Sequence, residues 1–169
     1  MVSLKGNKMQ KVTIYTDGAC RGNPGKGGYG CVLLFTDKNG ETHRKEFSQG
    51  YSNTTNNRME LLAVITGVEA LKFPCELEIY SDSKYVVDAF NKNWIDGWIK
   101  RNWKKVKNID LWKRLLADLE KHSYKFIWVE GHAGNKENEI CDTLATTAAD
   151  SENLIEDTNY TNPQSEQKF

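Results

Sequence analysis

The chain has 169 residues, enough for one domain with a real core. Lysine plus arginine equals aspartate plus glutamate at 23 each, so the net charge is zero and the overall basic balance usual for nucleic-acid binders is absent. No stretch approaches about 18 apolar residues and the N-terminus carries no apolar signal run, so neither a membrane span nor a secretory signal is expected. The four cysteines (Cys20, Cys31, Cys75, Cys141) form no CxxC pair and no framework spacing, which fits reduced thiols in a cytoplasmic protein.

Taken in chain order, residues 1–10 read as a flexible lead-in and 11–157 as the folded domain. Val12 and Ile14 alternate with Thr13 and Tyr15, a strand pattern that runs into Thr16-Asp17-Gly18 and places Asp17 near the strand's carboxyl end. Residues 22–28 are dense in glycine, with Asn23 and Pro24, and read as a turn. A mostly apolar strand follows over 29–35, then the hairpin signal Asp37-Lys38-Asn39-Gly40, then a more polar strand over 41–51 suited to an edge. These three strands form an antiparallel meander.

Thr54-Thr55-Asn56-Asn57-Arg58-Met59-Glu60 opens the first helix, because threonine and asparagine side chains accept from unpaired first-turn amides. Leu61, Val64, Ile65, Val68 and Leu71 then fall at helical spacing, and Pro74 closes the helix near residue 72. Leu77 to Tyr80 form a fourth strand ending in Ser81-Asp82-Ser83. A strand–helix–strand passage makes it parallel to its neighbour, with a right-handed crossover. If that neighbour is the first strand, Asp17 and Asp82 share the sheet end where α/β sites gather.

A short helix spans 84–90. Trp94, Trp98 and Trp103 then stand among Lys100, Arg101, Lys104 and Lys105, and residues 100–107 hold five positive charges and no acid. Such a local patch can steer a polyanion in a chain with no net charge. Asn108 or Asp110 caps a further helix, with Leu111, Leu115, Leu116 and Leu119 facing inward. A fifth strand covers 124–129, a glycine-flanked loop carries His132, and a last helix over 136–149 carries Asp142. Residues 158–169 read as a polar, frayed tail.

Asp17, Glu60, Asp82 and Asp142 therefore converge in principle. Singly, each reads as a cap, a strand end or a solvated face, and Glu60 as a partner of the helix dipole. Packed together they repel strongly unless cations lie among them. Oxygen-only ligands suit Mg²⁺ or Mn²⁺ rather than zinc. Two such ions about 3.5–4 Å apart can clamp the attacking and leaving oxygens of a phosphodiester.

The motifs around these residues resemble those of type 1 ribonuclease H in its bacterial form. They are Thr-Asp-Gly-Ala-Cys-Arg-Gly-Asn-Pro-Gly at Asp17, Thr-Thr-Asn-Asn-Arg-Met-Glu-Leu at Glu60, and Tyr-Ser-Asp-Ser-Lys-Tyr-Val at Asp82. Gly-His-Ala-Gly at His132 and Glu-Ile-Cys-Asp-Thr-Leu-Ala at Asp142 complete the set, in the family's order. The resemblance implies an α/β fold with a mixed five-stranded sheet in order 3-2-1-4-5 and helices on both faces. It implies hydrolysis of the RNA strand of RNA–DNA hybrids, leaving 5′-phosphate and 3′-hydroxyl ends. Two Mg²⁺ ions, replaceable by Mn²⁺, would be held by Asp17, Glu60, Asp82 and Asp142, with Asp17 shared between them. His132 would shuttle a proton. Asn23, Asn56 and Asn57 resemble minor-groove contacts, and Thr55 and Asn108 a pocket for a DNA-strand phosphate. Lys84 stands where the bacterial form often has glutamine. Trp94, Lys100, Arg101, Trp103, Lys104 and Lys105 form the basic protrusion, a few residues shorter than in the best-known bacterial form. The expected molecule is a monomer with no membrane association and no obligate protein partner.

Other enzymes with this acidic pattern include junction resolvases, transposases, integrases and polymerase-attached RNase H domains. The Asn56-Asn57 pair and the free-standing length favour the hybrid nuclease. A catalytically dead hybrid binder would lack one or more of the acids, and a structural module would leave the acid cluster unexplained.

Overall fold

The structure is a computed structural model and describes residues 9–161. Strands β1 (Gln10–Arg21), β2 (Gly25–Thr36) and β3 (Thr42–Thr54) form the expected antiparallel meander. Helix α1 (Asn56–Glu69) crosses to β4 (Cys75–Ser81), which pairs parallel with β1. Helices α2 (Lys84–Asn91), α3 (Trp94–Lys100) and α4 (Ile109–Leu119) lead to β5 (Ser123–Trp128), parallel to β4. Helix α5 (Lys136–Ala149) follows, then a short strand β6 (Leu154–Ile155) and a helical turn α6 (Thr158–Thr161).

The sheet order is β5-β4-β1-β2-β3-β6. The five-strand order expected above holds, with a sixth strand added beyond β3, where Leu154 and Ile155 pair with Gly50 and Tyr51. A two-residue strand has no periodicity to read, which is why it escapes the sequence pattern. Residues 158–161 form a helical turn rather than a frayed end, because Asp157 is drawn into a buried ion pair with Arg58. Residues 1–8 and 162–169, the rest of the expected lead-in and tail, lie outside the described residues.

The turn after β1 is narrower than its glycine content suggests, and β2 begins already at Gly25. Gly30 pairs with Asp17 and is used for close approach instead: a Cβ there would stand 2.7 Å from Leu144 Cβ and collide with the Cys141 carbonyl of α5. One residue along β2, Cys31 faces the other way and contacts α1 near Gly67. Helices α1 and α5 therefore sandwich the sheet. Along α1 every residue from Arg58 to Ile65 is buried, because the sheet covers one side and α4 packs against the helix as well. The core joins Ile14, Leu77 and Ile79 of the sheet to Leu61 and Ile65 of α1 and to Trp112 and Leu115 of α4.

Candidate active site

Parallel pairing of β1 with β4 ends at Tyr15 and Tyr80, while β1 continues along β2 to Arg21. Asp17 thus lies in mid-strand, not at a strand end as expected. It does sit just past the point where β1 and β4 part, and Asp82 follows the last residue of β4. Ligand placement where neighbouring parallel strands end is the rule for such sheets. Gly18 has the same spacing role on the α1 face as Gly30 has on the α5 face. A Cβ on Gly18 would stand 2.6 Å from the Glu60 amide nitrogen. Its absence lets α1 settle against β1 and brings Glu60 beside Asp17.

One carboxylate oxygen from each of Asp17, Glu60 and Asp82 lies within 4.8 Å of the other two. Asp17 and Glu60 are each 5% exposed. Glu60 stands a full turn inside α1, so the dipole-partner reading fails: no acid occupies the first turn. Its Oε1 is buried and has no hydrogen-bond partner among the described residues. Such an orphan is costly unless something absent from the protein chain satisfies it. Asp17 accepts from the Gly18 amide at 2.9 Å. Burial, then the charges of Asp82 and Asp142, push the Asp17 carboxyl up to about 8. Burial and the neighbouring Asp17 and Asp82 raise Glu60 well above its ordinary value, and burial also raises Asp82. Three mutually repelling acids with an unsatisfied oxygen fit a divalent cation site and offer little to any other ligand.

Asp142 lies half-buried on α5, outside this group of three, and adds its negative charge to Asp17 and Glu60. His132 is exposed in the loop before α5, in the left-handed region at φ 58°, near enough for its charge to act on Asp82. Among the described residues, the other group of possible ligands, Asp37, Glu41 and His43, is a hairpin device. Asp37 Oδ1 accepts from the Asn39 and Glu41 amides there, and its Oδ2 meets His43 at 2.8 Å.

Beside the acids, the Asn56 N–H donates to Asn23 Oδ1 at 3.0 Å, tying the β1–β2 turn to the start of α1. Thr55 caps α1 by accepting from the Arg58 N–H at 3.3 Å. Asn23, Thr55, Asn57, Arg58, Lys105 and Asn108 line one open cavity of about 650 Å³. Lys84 is exposed, with Nζ 4.8 Å above the Trp128 ring. Trp94, Lys100, Arg101, Lys104 and Lys105 are exposed on the protrusion.

Two expectations need correction. Trp103 is only 9% exposed: Asn102 and Trp103 both take left-handed backbone, and the indole turns inward to Trp98 at 6.1 Å between ring centroids. A buried indole offers no face to a base. Asn108 does not cap α4 through its side chain. It too is left-handed, at φ 60°, a conformation that costs a non-glycine residue about 1–2 kcal/mol, less for asparagine. Its amide is engaged by Arg58 and Tyr85 instead.

Sequence reasoning missed the partners of Arg58. This residue is 2% exposed and forked between Asp110 and Asp157. A signal was available, since Arg58 precedes Leu61, Ile65 and Val68 by steps of three, seven and ten residues and so falls on the inward stripe. A cation on a core-facing stripe needs buried carboxylates.

A mixed sheet that delivers clustered acids to the end of its central parallel pair defines the class: an α/β enzyme that cleaves phosphodiesters with cations held between carboxylates. The RNase H family profile matches residues 9–150. Among similar proteins, the ribonuclease H of Lachnoclostridium phytofermentans is 60% identical over 153 residues, covering 87% of this chain and 97% of the relative. That of Syntrophus aciditrophicus is 54% identical, covering 89% and 87%. The chain belongs to the RNase H family, in its type 1 branch. Among solved structures, LC9-RNase H1, a type 1 RNase H with the type 2 active-site motif, aligns with TM-score 0.77 at 30% identity, covering 86% of this chain and 74% of that one. LC11-RNase H1 in complex with RNA/DNA hybrid aligns with TM-score 0.59 at 28% identity, covering 82% and 96%.

Proposed function

We propose that this chain hydrolyses the RNA strand of RNA–DNA hybrids at the cluster of Asp17, Glu60, Asp82 and Asp142, leaving 5′-phosphate and 3′-hydroxyl ends. The observation that carries the assignment of the site is the partnerless Glu60 oxygen among acids that raise one another's proton affinity. Two Mg²⁺ ions, with Mn²⁺ able to substitute, fit this oxygen-only set, and when bound they supply an activated water and neutralise the departing oxyanion. Asp17, between its neighbours, would contact both ions. Glu60, Asp82 and Asp142 would supply the remaining protein ligands. His132, exposed on a loop with glycine on one side and Ala133-Gly134 on the other, would carry a proton between the site and solvent. The proposed molecule is a cytoplasmic monomer with no obligate partner. Among the described residues no helix is long and apolar enough to cross a membrane.

Substrate choice has to come from groups that sense the 2′-hydroxyl, which both donates and accepts a hydrogen bond. Side-chain amides match it, having a donor and an acceptor each. Asn23 follows the strand of Asp17, and Asn56 and Asn57 precede Glu60 on α1; the Asn56–Asn23 bond joins the two segments, which would meet different nucleotides of one strand. Each hydrogen bond left unmade strands a polar group, at about 1–3 kcal/mol. Cutting within a run of ribonucleotides in a hybrid is therefore expected to be efficient, and cutting at one ribonucleotide embedded in duplex DNA very poor. The two substrates are compared with Mg²⁺ at equal enzyme concentration, beside double-stranded RNA and DNA controls. Similar rates on run and single ribonucleotide overturn this recognition scheme.

The protrusion's role is tested separately. Neutralising Lys100, Arg101, Lys104 and Lys105 together should weaken hybrid binding and flatten its salt dependence. The slope of log affinity against log salt should fall by roughly 0.7–0.9 for each phosphate no longer neutralised. An unchanged slope means that these side chains do not meet phosphate.

A further inference from the structure

Arg58 lines the cavity it shares with Thr55 and Asn108, yet it has nothing left to offer a ligand. A guanidinium has five N–H donors. Nε donates to Asp157 at 2.7 Å and Nη2 to the same carboxylate at 3.0 Å. Nη1 and Nη2 donate to Asp110 at 2.9 and 2.8 Å, and Nη1 donates to Asn108 Oδ1 at 3.3 Å. All five are spent inside the protein.

The last of these bonds is the informative one. Asn108 Oδ1 accepts from Arg58 while its Nδ2 donates to the Tyr85 hydroxyl at 3.0 Å, and that hydroxyl also accepts from Trp112 Nε1 at 2.9 Å. Flipping the amide would set its NH₂ against the guanidinium, which can only donate. Arg58 therefore fixes the orientation, and the second Nδ2 hydrogen is an oriented donor on a residue that lines the cavity. Asp157, which holds Arg58 from the far side, also accepts from Thr54 Oγ1 at 2.7 Å and comes from the C-terminal strap between β6 and α6.

We propose that the Asp157–Arg58–Asp110 cluster positions the Asn108 amide toward the nucleic-acid backbone, so that the C-terminal strap sets substrate affinity without touching substrate. This rests on the hybrid-cleavage reading above, and wild-type cleavage of a uniform hybrid is checked first: its absence defeats that reading, whereas the outcomes below concern the inference alone. The test is a cycle of Asp157→Asn, Asn108→Ala and the double variant. Hybrid affinity is measured by fluorescence anisotropy in EDTA, and KM and kcat with Mg²⁺, at a temperature well below every variant's melting point.

Loss of one oriented hydrogen bond predicts that Asp157→Asn weakens affinity about 3–10-fold, raises KM in step and leaves kcat unchanged. In the Asn108→Ala background the same change should weaken affinity no further. Equal weakening in both backgrounds, or none in either, overturns the proposal, because a merely structural role would not depend on Asn108. If Asp157→Asn does not fold, Tyr85→Phe removes the amide's other anchor and takes its place in the cycle. Weakening confined to the Asn108 background then supports the proposal, and equal weakening or none again overturns it.

Discussion

Asp17→Asn is expected to reduce hybrid cleavage by about 10²–10³-fold or more, the scale for losing one preorganised electrostatic group, while the metal-free protein melts at the same temperature or higher. Both halves come from one cause. Asp17 is the acid that burial and its neighbours push up to about 8, so as a charged group it burdens the fold and as a ligand it is the most central. The pH dependence follows from the sign of that shift. A carboxyl whose proton affinity is raised by folding stabilises fully at pH below its unfolded value near 3.8, and that contribution is lost as pH rises through about 8. Metal-free wild type should therefore lose stability between about pH 4 and 8, and Asp17→Asn should lose less. Calorimetry in EDTA across that range measures it. A clear fall in melting temperature for the variant at pH 8 would mean that Asp17 holds the fold rather than the reaction.

Arg58→Ala should be the most damaging single change to stability outside the apolar core. It strands the Asp110 and Asp157 carboxylates, 7% and 6% exposed, without their cation. Removing one partner from a buried ion cluster typically costs about 3–5 kcal/mol. For a chain of this size that corresponds to a melting temperature lower by roughly 6–20 °C. Burial alone would raise the Asp110 carboxyl, and the adjoining guanidinium more than reverses this, holding it below its ordinary value. The Asp110 contribution is thus present above its unfolded value and disappears as pH falls through the folded one. Denaturant unfolding of Arg58→Ala beside Arg58→Ala/Asp110→Asn/Asp157→Asn separates lost packing from stranded charge. The triple variant should recover part of the loss. No recovery would mean that Arg58 acts through its aliphatic stem.

The meander, the crossover and the long helices were legible because they rest on periodicity and turn chemistry, which are local, whereas the full sheet order came with the family resemblance. The acids were legible because each sits in a distinctive short motif, and their convergence followed from the parallel pairing of β1 with β4. What the chain concealed depends on distant partners. Gly25, Gly27 and Gly28 look like a turn in isolation yet lie in β2, where Gly28 gives α5 room and Gly27 lies against Thr54 and Met59. Trp103 looks like a surface aromatic amid lysines until two left-handed residues turn it inward. Asn108 has the composition of a helix cap but is engaged by a guanidinium 50 residues earlier. The tail looks frayed because Asp157, which precedes it, is held by Arg58 and Thr54, 99 and 103 residues away.

The glycines on either side of Asp17 have a mechanical consequence. Because Gly18 and Gly30 present no side chain, α1 and α5 rest on the main chain of the sheet itself. The span between Glu60 on one helix and Asp142 on the other is then gauged by peptide geometry, not by rotamers that can hop. Strand β1 acts as the bar of a caliper and the helices as its jaws, with Asp17 fixed to the bar. Such a site has little compliance. A single methyl group at either glycine would meet the backbone of a helix and force it off the sheet, spreading the acids while leaving each of them in the chain.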